Sequence, residues 1–238
     1  WAGSARHIAI RQARGDWLIF LDADTIPGPD CVQKHLEWSM RLGDTACLVG
    51  KNQVSSELPP TLQIRIPENR FQSALALTKI NWPEYRTGNS SMARRLYEQA
   101  GGFDVELKAA EDTELAARLA DAGVRFYYVP EIKTVHHHPL DLNGFFNKAA
   151  LYGQAAARWY QKAPAHRRLL AYRYGVYARE LSWFKKIKYI MRSLFINRYT
   201  VAGIVMFGKR AKPLLSEQLY RMVFQYHTRQ AFKQQIAR

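Results

Sequence analysis

Five apolar residues in a row, Trp17 to Leu21, lead straight into Asp22-Ala23-Asp24, and the chain then breaks on Pro27-Gly28-Pro29. A short unbroken apolar run between turn residues predicts a strand buried on both faces, as in sheets that carry helices on either side. The two aspartates then stand at the C-terminal end of that strand, where open α/β sheets place their ligands. This junction constrains the fold more than any other stretch, because it demands both a covered sheet and an acidic mouth.

The neighbouring segments agree with an α/β architecture. Asp30 to Leu42 places Val32, Leu36 and Met40 at helical spacing and stops near Gly43, which predicts a helix covering the sheet. Ala46 to Gly50 is a second apolar run. Residues 52 to 86, holding Pro59, Pro60, Pro67 and Pro83, read as an irregular excursion with one helix near Glu68 to Lys79. Arg95 to Ala100 predicts a short helix ended by Gly101-Gly102, and Glu111 to Ala122, closed by Gly123, predicts another with Leu115, Leu119 and Ala122 on one face. Val124 to Val129 and Ile132 to Val135 are β-rich, with Pro130 separating them. Strand and helix alternate, as an α/β sheet requires. From Asn143 onward Gly and Pro become sparse and helical periodicity dominates, so the expected domains are 1–140 and 141–238.

Charge divides at the same place. The 238 residues carry a formal charge of +15, yet residues 1–138 hold 16 Lys and Arg against 17 Asp and Glu, whereas residues 139–238 hold 19 against 3. The last hundred residues therefore read as a segment that meets something anionic: a membrane surface, a nucleic acid or a phosphorylated substrate. A hydrophobic content of 47% with 13% aromatic residues excludes a disordered chain. Cys31 and Cys47 are too few for a disulfide framework and have no metal-ligand spacing, so they receive no role and a reducing compartment is expected. The longest apolar run of the C-terminal half, Val201 to Gly208, is far short of the roughly 20 residues of a membrane-spanning helix.

Asp22 and Asp24 offer two hard oxygen donors, which suit Mg²⁺ or Mn²⁺ bound beside a diphosphate. The pattern alone is unspecific. With nine Asp in the chain it arises by chance in roughly one such chain of three, and a solvated strand-to-loop turn explains it equally. Glu111-Asp112 can supply a general base, or can simply favour a helix N-terminus. Adjacent helical residues point about 100° apart, so only one of the two can face a cleft squarely. His136, His137 and His138 follow a strand, where residues two apart share a side, and such a group is a metal site or a surface cluster.

Four stretches together carry a resemblance. "GSARHIAIRQARG" with "DWLIFLDADTIPGPDCV", then "TGNSSMARRLYEQAGGFD" (87–104), "AEDTELAARLADAG" (110–123) and "VHHHPLDLNGFFNKAALYG" (135–153) resemble, in order and spacing, the family 2 glycosyltransferases over about residues 3–155. The resemblance implies the GT-A fold, a Rossmann-like mixed sheet flanked by helices, here with a basic helical C-terminal extension. It implies a sugar transferred from a nucleotide-diphosphate donor to a hydroxyl acceptor, a glycan or lipid-linked intermediate of polysaccharide biosynthesis. Asp22 and Asp24, as the family's DXD motif, would hold the metal and the donor diphosphate, with Asp24 the usual direct ligand and Arg6 beside the phosphates. Asp112 would be the catalytic base with Glu111 next to it, Gly88 and Asn89 would lie on the acceptor side, and His136, with His138 next, would complete the metal site. The family opens with a base-binding strand and loop and a further βα unit that do not precede Trp1, so the expectation is a fold incomplete at its N-terminus and inactive alone.

The expected reaction is inverting and metal-dependent. Two alternatives stay open: a nucleotidyltransferase, which also wants paired carboxylates and metal, and a GT-A-like binding module without turnover. "QAAARWY" (154–160) misses the Gln-x-x-Arg-Trp signature of processive synthases by one residue, so single additions are expected. The stretch 177–212 interleaves Lys and Arg with Trp, Phe, Tyr, Leu and Ile. It reads as a helix lying in an anionic membrane interface, as an appendage whose aromatic face packs on the body, or, third, as an RNA-binding helix without a recognisable motif. No nucleic acid is expected as a partner, and the expected location is cytoplasmic and peripheral to the inner face of the membrane.

Overall fold

Strand β1 (Trp17–Leu21) forms where the apolar run predicts it, and its alternation decides how it is covered. Leu18 and Phe20 are buried, while Trp17, Ile19 and Leu21 are half-buried. Full burial of both faces is thus not met: the strand keeps the period of two that follows from opposite-pointing side chains. The computed structural model describes residues 1–55, 57, 74–137, 142–174, 182–211 and 213–237.

These residues divide into two compact units, the first reaching His137 and the second starting at Leu142. In the first, helix α1 (Ala2–Gln12) precedes β1, and β2 (Thr25–Pro27), α2 (Cys31–Leu42), β3 (Ala46–Val54), β4 (Thr78–Ile80), β5 (Asn89–Ala93), α3 (Arg94–Gln99), α4 (Glu111–Asp121) and β6 (Arg125–His136) follow. The sheet runs β1-β5-β3-β6-β2, with β4 also on β6. The β3–β6 pair is parallel and the others are antiparallel, which makes the sheet mixed.

Pro130 does not split the β-rich stretch into two strands. β6 passes through it as one strand, with Gly50 facing Val129 and Lys51 facing Lys133, so residues 130–132 form a bulge. A proline has no N–H for the ladder, and a bulge accommodates one without ending the strand. The first half of the expected helix at Glu68 to Lys79 lies outside the described residues. Its described end is not helical, since Thr78 and Ile80 enter β4 and pair with Tyr128 and Phe126. β-branched side chains suit that pleated surface.

Helix α2 forms as predicted but faces the other way. Val32, Leu36 and Met40 are 61%, 45% and 70% exposed, whereas Cys31, His35 and Ser39 are buried against the sheet. One residue of offset turns a helix face by about 100°. The offset is set by polar complementarity: His35 Nδ1 meets Ser91 Oγ at 3.0 Å and its Nε2 meets Asn89 Oδ1 at 2.9 Å. Beneath the opposite face, Leu115 and Leu119 of α4 join Phe20, Val49, Met92 and Phe126 in the main core. Gly101, Gly102 and Gly123 take left-handed backbone at the ends of α3 and α4, which glycine adopts without steric cost.

The second unit is helical: α5 (Leu142–Lys162), α6 (Arg167–Tyr174), α7 (Trp183–Phe195), α8 (Val201–Arg210) and α9 (Pro213–Ile236). α5 packs along α9 through buried Ala149, Gly153, Ala156 and Ala157. A Cβ at Gly153 would stand 2.8 Å from Ala231 Cβ, so only glycine permits this approach. Trp159, from the near-match to the processive signature, is buried and donates through Nε1 to His166 Nδ1 at 3.1 Å.

Candidate active site

The turn after β1 brings the acidic pair to a histidine more than a hundred residues later. Thr25 N donates to Asp22 O at 3.1 Å, which reverses the chain into β2. β2 pairs antiparallel with the end of β6 in the register Thr25 to His136, and His137 N donates to Asp24 O at 2.8 Å. His136 Nε2 therefore lies 3.2 Å from Asp24 Oδ1. One donor atom each from Asp22, Asp24 and His136 falls within 4.8 Å of the others, and each side chain is about one-third exposed. Two carboxylates and an imidazole on a partly open site fit Mn²⁺ or Mg²⁺, with room for further oxygen ligands.

Gly88 backs this cluster. Its carbonyl accepts from Asp22 N at 3.3 Å, and a Cβ there would stand 2.8 Å from Asp22 Oδ2. The side chain of Asn89, expected on the acceptor side, is buried and occupied. Its Oδ1 pairs with His35, and its Nδ2 donates to Lys51 O and Ile132 O, both at 3.2 Å, which ties β5 to β3 and β6. A residue type that serves ligands at loop tips is here consumed inside the sheet.

Arg6 joins the acidic cluster to α4. Its Nη2 donates to Asp22 Oδ1, and its Nη1 donates to Glu111 Oε1 at 3.0 Å. Helix α1 comes close enough to do this because residue 3 is glycine: a Cβ there would stand 2.8 Å from Glu111 Cγ. Glu111 is buried, and burial first, then the neighbouring Asp112 charge, pushes its carboxyl above the usual range, with Arg6 opposing. Asp112 is half-buried, and its Oδ1 accepts from Thr113 N at 2.6 Å and Thr113 Oγ1 at 3.1 Å. The two acids diverge as the helical geometry requires, Glu111 toward Arg6 and Asp112 elsewhere.

Sequence reasoning missed what sets α4 in place. Ala110, buried and immediately before Glu111, has φ 59°, and among the described residues it is the one non-glycine with positive φ. A left-handed non-glycine costs on the order of 1–2 kcal/mol and persists only where its surroundings hold it. No local signal in Lys-Ala-Ala-Glu-Asp announces it. His7 Nδ1 meets Tyr97 Oη at 2.8 Å. His137 lies 3.8 Å from Glu57, and His138 is outside the described residues.

Residues 1–101 match the family described as Glycosyl transferase family 2. The chain is 28% identical over 187 residues to the rhamnosyltransferase WbbL of Escherichia coli K12, covering 68% of this chain and 67% of that one. It is 39% identical over 165 residues to the pre-mycofactocin glycosyltransferase of Mycobacterium tuberculosis, covering 65% of this chain. It spans about a third of that relative's length, 34%. Among solved structures, the mannosyltransferase PcManGT of Pyrobaculum calidifontis, in complex with GDP-Man and Mn²⁺, superposes with a TM-score of 0.57 at 17% identity, covering 98% of this chain and 66% of that one. With a mixed sheet and an acidic mouth, the chain has the GT-A fold, and residues 1–101 are similar to the family 2 glycosyltransferases.

Proposed function

We propose that this glycosyltransferase inverts the sugar it transfers and depends on a divalent cation held by Asp22, Asp24 and His136. The observation that carries the reading is the single guanidinium of Arg6 bridging Asp22 of that cluster to Glu111 of α4. It ties the metal-type donors to Glu111 in the first turn of α4, the residue next to the candidate base Asp112. The cation, when bound, would supply Lewis-acid neutralisation of the charge that develops on a departing nucleoside diphosphate.

The chain's own residues account for the rest. Arg6 offers a planar, permanent positive charge beside the phosphate position. Asp112 accepts the proton of the acceptor hydroxyl as that oxygen bonds to the anomeric carbon and the carbon–oxygen bond to the diphosphate breaks. Attack opposite the leaving group inverts the anomeric centre. Glu111, buried and pinned by Arg6, orients the N-terminus of α4 and the residue beside it. Gly88 keeps room for Asp22.

The donor is a nucleotide-diphospho-sugar, in keeping with a rhamnosyltransferase among the relatives and with GDP-Man and Mn²⁺ in the fold neighbour. The acceptor is a cell-surface glycan or lipid-linked intermediate, met by an enzyme that sits peripherally on the cytoplasmic face of a membrane. No helix of the described residues is long and apolar enough to cross a membrane. The domain of residues 1–140 carries the chemistry, and residues 141–238 form the basic extension.

The test is product analysis with the full-length protein, Mn²⁺ and a panel of nucleotide sugars. The expected outcome is release of nucleoside diphosphate and a product of opposite anomeric configuration, with turnover reduced about 100- to 1,000-fold by Asp24→Asn. Release of pyrophosphate would mark a nucleotidyltransferase instead. Turnover unaffected by Asp24→Asn would remove the metal cluster from the reaction.

A further inference from the structure

Helix α7 carries its apolar residues on the outside. Trp183, Phe184, Ile187, Ile190, Met191, Leu194 and Phe195 are all exposed, between 41% and 78%. At 100° per residue these seven positions fall within an arc of roughly 140°, while Lys185, Lys186, Lys188 and Arg192 occupy positions on the remaining arc. The next segment continues the pattern: Tyr199, Met206 and Phe207 are exposed, and so are Lys209 and Arg210 at the end of α8. The apolar arc of α7 thus stands open, whereas a helix that packs its apolar face buries it.

An exposed apolar surface of this extent marks an interaction site, and the arrangement of charge says which. Proteins that take single-stranded nucleic acid mix aromatic and basic groups in one groove, so that bases stack where phosphates are paired. Here the two kinds of residue are segregated around the helix, as in segments that lie flat with the apolar arc in the acyl boundary and cations among anionic headgroups. At about 1.5 Å per residue the 13 residues of α7 reach about 20 Å, too short for a hydrocarbon core of about 30 Å. The surrounding hundred residues, with 19 cations against 3 acids, give this surface the complementary charge.

We infer that α7, with the exposed end of α8, is a membrane-docking surface that inserts its apolar arc into the interface of an anionic lipid leaflet. This rests on, and gives a structural element to, the peripheral placement proposed above. The experiment is co-sedimentation of the full-length protein with vesicles of phosphatidylcholine alone or mixed with phosphatidylglycerol, in parallel with nucleotide-sugar turnover in solution. The expected result is binding to the mixed vesicles only, weakened by salt, and lowered at least tenfold in the double variant Ile187→Ser/Leu194→Ser. Lys185→Glu/Lys186→Glu should weaken binding and flatten its salt dependence. Fluorescence quenching by brominated lipid should fall in Trp183→Tyr, a variant that keeps the fold. Asp24→Asn should bind vesicles as the parent does. Vesicle binding without donor turnover would sink the enzymatic reading and leave the docking surface standing. Undiminished turnover without binding to anionic vesicles, or binding that Ile187→Ser/Leu194→Ser leaves unchanged, would overturn the docking surface. Capture of single-stranded RNA in place of vesicles would overturn it too.

Discussion

The two units use charge in opposite ways. In the first, cations and acids are nearly balanced and meet in partly buried pairs: Arg6 with Asp22 and Glu111, and Arg118 with Glu114. In the second, three acids cannot match nineteen cations whatever their arrangement. The lesson is that a net charge of +15 describes neither unit. One spends its charges on building a site, where a partly buried guanidinium between two carboxylates is worth far more than a surface pair. The other keeps an excess that acts on whatever approaches from outside.

Variants at α4 would break this comparison most sharply. Asp112→Asn should lower turnover by about 100- to 10,000-fold with little change in melting temperature, as expected for loss of a general base. Glu111→Gln should instead cost stability, about 2 kcal/mol from one charge-assisted hydrogen bond of Arg6, seen as a lower urea midpoint. If the two variants exchange these signatures, the roles assigned to the neighbouring acids are reversed.

Asn89→Ala comes next. It takes the Asn89 partner from His35 Nε2 and the Ile132 carbonyl and leaves the Lys51 carbonyl with Thr134 Oγ1, and losing buried polar partners of this kind costs roughly 3 kcal/mol in total. Denaturant unfolding checks it. A loss of acceptor affinity with unchanged stability would restore Asn89 to the acceptor side.

His35 gives a smaller, pH-dependent effect. Burial lowers its pKa from the ordinary 6.5, so below that value the unfolded chain binds a proton that the folded chain refuses. Stability is therefore complete above pH 6.5 and falls as the pH drops toward the lowered folded value. Urea midpoints at pH 7.5 and 5.5 should show the decline, and His35→Gln should shrink it.

The smallest effect is expected at Val32→Ser and Met40→Ser. Both residues are exposed, so each change should stay within about 0.5 kcal/mol. A loss of several kcal/mol would show that α2 packs by its apolar face after all.

Much of the fold is legible along the chain. The run Trp17–Leu21, the leucines of α4 and the glycines at 101, 102 and 123 each act through local periodicity or backbone freedom, which neighbouring residues determine. The meeting of Asp22, Asp24 and His136 was suggested by family resemblance and not by spacing. It depends on the register of β2 with β6. The face of α2 was misread for a physical reason: hydropathy counts oil, while His35 and Ser39 are drawn inward by Ser91 and Asn89, which hydropathy cannot see. The strand through Pro130 was misread because the parallel partner β3 carries the pairing across the bulge.

The sequence by itself determined where apolar runs begin and stop, which turns need glycine, and how charge divides near residue 140. These follow from the period of a strand or helix and from composition, quantities that need no partner. Only the tertiary structure decided that Arg6 spans Asp22 and Glu111, that Asn89 is spent inside the sheet, that Ala110 holds a left-handed backbone, and that α7 turns its apolar arc outward. Each is a choice among partners far apart in the chain. Such choices are settled by which buried polar groups can all be satisfied at once.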